Sequence, residues 1–294
     1  MNPDMVEYLA SKRQSLNTLQ PNLKMLIYGE PGTGKTVAAM KIAQAITPEG
    51  KSIEFLDFLE GWTSLLNHKG LTDRTNRQQY EGLSQIEALS QAIDEKLAPF
   101  DTIGTVILDE FSAMANADLD TVLRVRMAAD RSGEDVPAWP DYHANKERTR
   151  KAITKLLSSN INVILVAHTK EDKDNTTGAV TTKPAFIQSF YGVFSQMLHV
   201  VANLTAVQFA AKEDGTQEYR RIFQVNPTKR VSAKTRVGGL PVTVEYEPLI
   251  HAIIEWMKGK RETVSEEVTK VIQPDISIDK PVETMEDLVA INVD

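Results

Sequence analysis

The chain has 294 residues, of which 41% are hydrophobic, 25% charged and none cysteine. That is enough chain for a full core and an ordinary globular composition, and it excludes disulfides and thiolate metal sites. The formal charge of −7 is unevenly placed. Residues 261–294 hold nine acids against three bases, which leaves −1 on residues 1–260, so the body is near neutral and can still present a basic face.

No apolar run approaches the ~20 residues needed to cross a bilayer. The N-terminus lacks a basic-then-apolar signal pattern. The expectation is a cytoplasmic protein with no membrane partner. Residues 1–21 read as a polar arm, with Val6 and Leu9 to dock it.

Met25 to Tyr28 is a short apolar run and reads as a buried strand. Gly29-Glu30-Pro31-Gly32-Thr33-Gly34-Lys35-Thr36 follows and fits the phosphate-binding loop G-x-x-x-x-G-K-[ST]. Its N–H groups form an anion nest. Lys35 is placed to bond the β- and γ-phosphates of ATP, and the Thr36 hydroxyl to take a Mg²⁺ position. Val37 to Ile46 contains no Gly or Pro and reads as the following helix, whose N-terminal dipole also favours phosphate.

Ser52 to Phe58 reads as a second strand, running into Leu59-Glu60-Gly61. Residues 67–77 are polar and read as a loop. From Gln78 the apolar positions Tyr80, Leu83, Ile86, Leu89, Ile93 and Leu97 recur at helical spacing. Thr105 to Leu108 is a third strand ending in Asp109-Glu110. Asp109 is expected to hold the Mg²⁺ shell through water, as a strand-end carboxylate downstream of a phosphate loop does. The general base that orients an attacking water is Glu60 or Glu110, and the residues alone do not separate them.

Helical stretches at about 117–131 and 142–158 flank a breaker-rich segment, and the second is basic. Ile161 to Ala167 is a fourth strand ending in His168, whose carboxyl edge should face the nucleotide. A neutral donor there can sense the γ-phosphate. Residues 169–184 are polar and read as a mobile loop. Phe186, Phe190, Tyr191 and Phe194 have near-helical spacing, which suits core packing or a base-stacking platform.

Met197 to Asn203, Ala206 to Ala211 and Tyr219 to Val225 read as later, antiparallel strands, with a turn signal at Asp214-Gly215. Lys229, Arg230, Lys234 and Arg236 fall within eight positions. They form a solvated hairpin, reach a neighbouring subunit's triphosphate, or bind nucleic-acid phosphates. A final helix holds Leu249, Ile253 and Met257. Residues 261–294, with few aromatics and many acids, are expected to be disordered. The alternation of elements implies an α/β domain over 22–260: a mostly parallel central sheet flanked by helices, with a β-rich C-terminal edge.

The phosphate loop, Leu56-Asp-Phe-Leu-Glu-Gly61, Val106-Ile-Leu-Asp-Glu110, Val166-Ala-His-Thr-Lys170 and Asn226-Pro with Arg236-Val-Gly-Gly-Leu-Pro241 occur in that order. Together they resemble the phage-encoded P-loop ATPases related to the RecA core, some of which anneal single strands. The resemblance covers roughly residues 22–260. It implies a RecA-like ATPase that acts on single-stranded DNA as a homo-oligomer, ring or filament, with a single-strand DNA-binding protein as a further partner, in a host cytoplasm. It favours Glu60 as base and His168 as a switch ahead of a DNA-binding loop. It puts Lys229, Arg230 and Arg236 near subunit-bridging positions. Two features depart from the pattern. The Asp109-Glu110 pair is usual in AAA+ ATPases, and residues 111–160 are long for a minimal RecA core. An AAA+ motor or helicase loader acting on a protein therefore stays open, as does a nucleotide-gated binding protein with little turnover.

Overall fold

The computed structural model describes residues 3–11, 20–129, 136–174, 176–185, 188–208 and 219–259. The acidic tail and the Asp214-Gly215 turn lie outside the described residues. Of the N-terminal arm, helix α1 (Pro3–Ser11) is described, and it exposes Met5, Val6 and Tyr8. Among the described residues no helix is long and apolar enough to cross a membrane.

The fold is α/β, built on a ten-stranded, mostly parallel sheet flanked by helices. Its central strands are β1 (Lys24–Gly29), β5 (Asn162–Lys173), β4 (Ile103–Asp109) and β2 (Ser52–Asp57). They are parallel neighbours in the order β2-β4-β5-β1. β3 (Thr75–Gln79) closes one side, parallel to β2. β7 (Val200–Gln208) lies on the other side of β1, followed by β8 (Tyr219–Gln224) and β10 (Thr243–Glu245).

Side chains alternate across the central strands, as strand geometry requires. Met25 and Ile27 face helix α2 (Lys35–Ile46) and helix α7 (Tyr246–Met257). Leu26 and Tyr28 face the opposite layer, built on α3 (Leu83–Asp94) and α5 (Trp139–Ser158) with α4 (Phe111–Ala129) and α6 (Gln188–Met197). β1 is buried along its whole length, so the loop after it is anchored on the rigid centre of the sheet.

Four sequence expectations are corrected. The polar stretch 67–77 ends in a strand: β3 is an edge, and an edge strand needs no apolar face of its own. The helix expected from Gln78 begins at Leu83, and Tyr80 instead packs its ring edge-on against Phe58. The expected strands at 197–203 and 206–211 merge into one, β7, which runs parallel to β1 rather than antiparallel; β8 and β10 are antiparallel as expected. The loop at 169–184 is largely a ribbon. β5 continues to Lys173 and pairs antiparallel with β6 (Val180–Pro184).

Phe194 is fully buried, its ring edge-on to Phe111. Phe186 and the side chains of Phe190 and Tyr191 lie outside the described residues.

Candidate active site

Gly29 to Thr36 links the carboxyl end of β1 to the first turn of α2. Gly32 and Gly34 take positive φ of 79° and 90°, which glycine adopts without penalty. Lys35 is buried at the helix start, and its Nζ donates to the Glu30 carbonyl at 2.9 Å. Burial lowers its pKa from the ordinary value, opposed by the nearby charges of Asp109, Glu110 and Glu30. A lysine held this way carries its charge at the floor of an anion nest.

Asp109 ends β4 and is buried. Its Oδ2 accepts a hydrogen bond from Thr36 Oγ1 at 2.5 Å. Desolvation pushes its pKa up to about 6, helped by the charges of Glu110 and Asp57. A buried carboxylate beside a hydroxyl is an oxygen pair suited to a hard divalent cation. Among the described residues no group of three or more His, Asp or Glu forms a metal cage. Mg²⁺ takes one or two protein oxygens and completes its shell with water and phosphate. Thr36 and Asp109 would hold it, and it would supply charge to the phosphates.

The two candidate bases differ sharply. Glu110 is buried, and both carboxylate oxygens are engaged. Oε1 accepts from the backbone N–H groups of His168 (2.9 Å) and Ser112 (3.2 Å). Oε2 lies 3.2 Å from His168 Nε2. Glu60 is exposed on the turn after β2, with φ of 56°. The next residue, Gly61, backs directly onto the metal end: a Cβ there would stand 2.9 Å from Asp109 Oδ2 and 3.5 Å from Thr36 Oγ1.

His168 pairs in register with Gly29. Its Nδ1 lies 3.5 Å from Lys35 Nζ. Thr169 donates through Oγ1 to the Glu30 carboxylate. The start of the β5–β6 ribbon is thus tied to the phosphate loop twice.

Arg221 of β8 was not legible in the sequence. Its Nε donates to the Thr33 carbonyl at 3.1 Å, and it lies so close over Gly34 that a Cβ there would be 2.6 Å from Nε. Beside it, a cleft of about 340 Å³ is lined by Val37 and Lys41 of α2, Arg220 and Arg221 of β8, Tyr246 of α7, and His68.

Lys229 and Arg230 sit against the ribbon. Their carbonyls accept from Thr181 Oγ1 and Thr182 N–H. Arg236 lies at the opposite end of the sheet. Its Nη2 donates to the Gln196 carbonyl at 2.5 Å, at the end of α6, where the Lys234 ammonium also meets the carbonyls of Ser195 and Leu198. Lys234 itself belongs to the two-residue strand β9 (Lys234–Thr235). β9 pairs with Val200 and Val201 of β7, beside the start of β1.

A family model described as an AAA domain matches residues 21–237. The chain belongs to the AAA domain family. This AAA domain is a P-loop NTPase, a nucleotide-binding ATPase module. The matched span contains every site residue named above except Tyr246 of α7. No curated protein matches the chain.

Proposed function

We propose that this AAA domain hydrolyses ATP with Mg²⁺, and that nucleotide state is transmitted to single-stranded DNA through the β5–β6 ribbon. The observation that carries the reading is the position of His168. It stands between Lys35, at the phosphate end, and the first residue of the ribbon, Thr169. An ammonium has only donors, so Lys35 donates to Nδ1, and on the far side of the ring Nε2 lies 3.2 Å from Glu110 Oε2. A phosphate that recruits Lys35 removes the partner of Nδ1, and the ring is then free to turn and shift the ribbon.

In this reading Glu60 is the base that orients water, because it is exposed beside the metal end while both oxygens of Glu110 are engaged. The nucleoside end lies in the cleft past Val37, the residue after Thr36, with Tyr246 as one wall. The ribbon offers Lys170 and Lys173, exposed, with Lys229 and Arg230 alongside. Lys183 is already paired with Asp172 at 2.6 Å, so it is a weaker phosphate ligand. Annealing or strand exchange by a homo-oligomer, with Lys229 and Arg230 reaching a neighbour, is the form of this function that we favour.

The test is ATP turnover with and without single-stranded DNA, in wild type and Lys35→Ala. Turnover that rises with DNA and vanishes in Lys35→Ala supports the reading. Turnover stimulated by a protein partner and indifferent to DNA turns it toward a motor or loader.

A further inference from the structure

Glu60 adopts φ of 56°, a left-handed conformation that is unfavourable for a non-glycine residue. Something must hold it there. Part of the hold is local: the Glu60 carbonyl accepts from Thr63 Oγ1 and N–H. The rest comes from Asp57, the last residue of β2, which is fully buried. Its Oδ1 accepts the Gly61 N–H at 2.9 Å. Its Oδ2 accepts from Arg77 Nε of the edge strand β3 at 2.7 Å. The Arg77 guanidinium also lies 5.3 Å from the Trp62 ring centroid and donates to Gln79. Arg77 thus touches the turn on both sides of Gly61, through Asp57 and through Trp62.

We propose that Arg77 is a positioning residue for hydrolysis. It holds the Asp57 carboxylate aimed at Gly61, and so fixes the turn that presents Glu60 to the metal end of the site. A buried carboxylate stripped of its cation is costly. Without Arg77 on Oδ2 the carboxylate is no longer held in place under the Gly61 N–H, and Glu60 loses its aim. Lys35, the nucleotide cleft and the phosphate loop are not touched by Arg77, so binding should survive. The inference rests on Glu60 being the base.

The experiment is a double-mutant cycle on ATP turnover, with affinity for a non-hydrolysable ATP analogue measured alongside. Arg77→Met should lower kcat by about 10- to 100-fold, the scale of a base misplaced by about 1 Å, and leave the analogue's Kd within about twofold. Arg77→Lys, which keeps a charge for Asp57, should recover part of the rate and guards against a folding defect in the methionine variant. In a Glu60→Gln background, Arg77→Met should cost nothing further, because it acts through Glu60. Losses that multiply in the double variant, or a rate unchanged in Arg77→Met, overturn the proposal. If Glu60→Gln alone keeps full turnover, the assignment of the base fails instead, and the two failures are told apart in one series.

Discussion

The Nζ of Lys35 and the Nδ1 of His168 stand 3.5 Å apart, and on the far side of the ring Nε2 stands 3.2 Å from Glu110 Oε2. Three side chains from three elements, α2, β5 and the turn after β4, therefore share one proton arrangement. With Lys35 donating to Nδ1, only the Nε2–H tautomer satisfies both contacts. In the proposed switch, a disturbance at the phosphate end would pass through this ring to Glu110 and the base of the ribbon.

His168→Ala should keep nucleotide affinity, since Lys35 retains its bond to the Glu30 carbonyl. It should abolish the difference in single-stranded DNA affinity between ADP and a non-hydrolysable ATP analogue. Fluorescence anisotropy with labelled DNA reads both states. A variant that still responds to nucleotide as wild type does would make His168 a structural residue only.

Glu60→Gln is expected to lower kcat by at least about 100-fold with ATP binding retained, the usual scale for a lost general base. Glu110→Gln should cost less in rate and more in coupling. Its amide would point a donor at His168 Nε2–H, and the tautomer that relieves this clash aims an N–H at the Lys35 ammonium. Single-turnover kinetics on both variants separate the roles, and a larger loss in Glu110→Gln would reverse the assignment.

The phosphate loop was legible because its chemistry is local: glycines, lysine and threonine are fixed by spacing within one turn. Asp109 followed from a strand end. Glu60 and Glu110 could not be ranked from spacing, because what separates them is the bond from the His168 backbone, 58 positions away, to Glu110. Arg221 was hidden for the same reason, 188 positions from Thr33. β3 reads Thr-Asn-Arg-Gln-Gln and carries no hydrophobic signal; only its pairing with β2 makes it a strand. The extension of β5 was missed because its polar residues pair with β6 above the sheet, where no core demands apolar side chains.

Gly61→Ala is a substitution that spacing alone would pass as mild. The new Cβ would meet Asp109 Oδ2 at 2.9 Å and Thr36 Oγ1 at 3.5 Å. Both atoms are the proposed Mg²⁺ pair, so the methyl should displace them or crowd the ion. Nucleotide should still bind in EDTA with near wild-type affinity, and the gain in affinity on adding Mg²⁺ should shrink by about tenfold or more, a loss of about 1.4 kcal/mol. Titration calorimetry with and without Mg²⁺ checks this. An undiminished Mg²⁺ effect would place the ion elsewhere.

Asp109 links function to stability through pH. Its carboxyl is raised from 3.8 to about 6 in the folded chain, chiefly by desolvation. The native state therefore holds this proton more tightly than the unfolded state does. Between pH about 4 and about 6 the folded protein binds more protons, so its stability falls as pH rises through that window and stays lowered above it. The shift corresponds to a cost on the order of 3 kcal/mol at neutral pH in the absence of metal. Asp109→Asn removes the charge but keeps an oxygen for the Thr36 hydroxyl. The nucleotide-free variant should melt several degrees above wild type at pH 7.5, at roughly 2–4 °C per kcal/mol for a domain of this size. By pH 4 the two should melt together. With Mg²⁺ and an ATP analogue the order should reverse at pH 7.5, because the wild-type carboxylate gains a cation to hold and the amide does not. For the same reason the Mg²⁺ dependence of binding in wild type should weaken below pH about 6, as Asp109 takes up its proton. Differential scanning fluorimetry at the two pH values, with and without Mg²⁺ and the analogue, reads all of these. A variant less stable than wild type at pH 7.5 without nucleotide would mean that the Asp109 charge is already compensated inside the fold, and that the site is not poised for a metal.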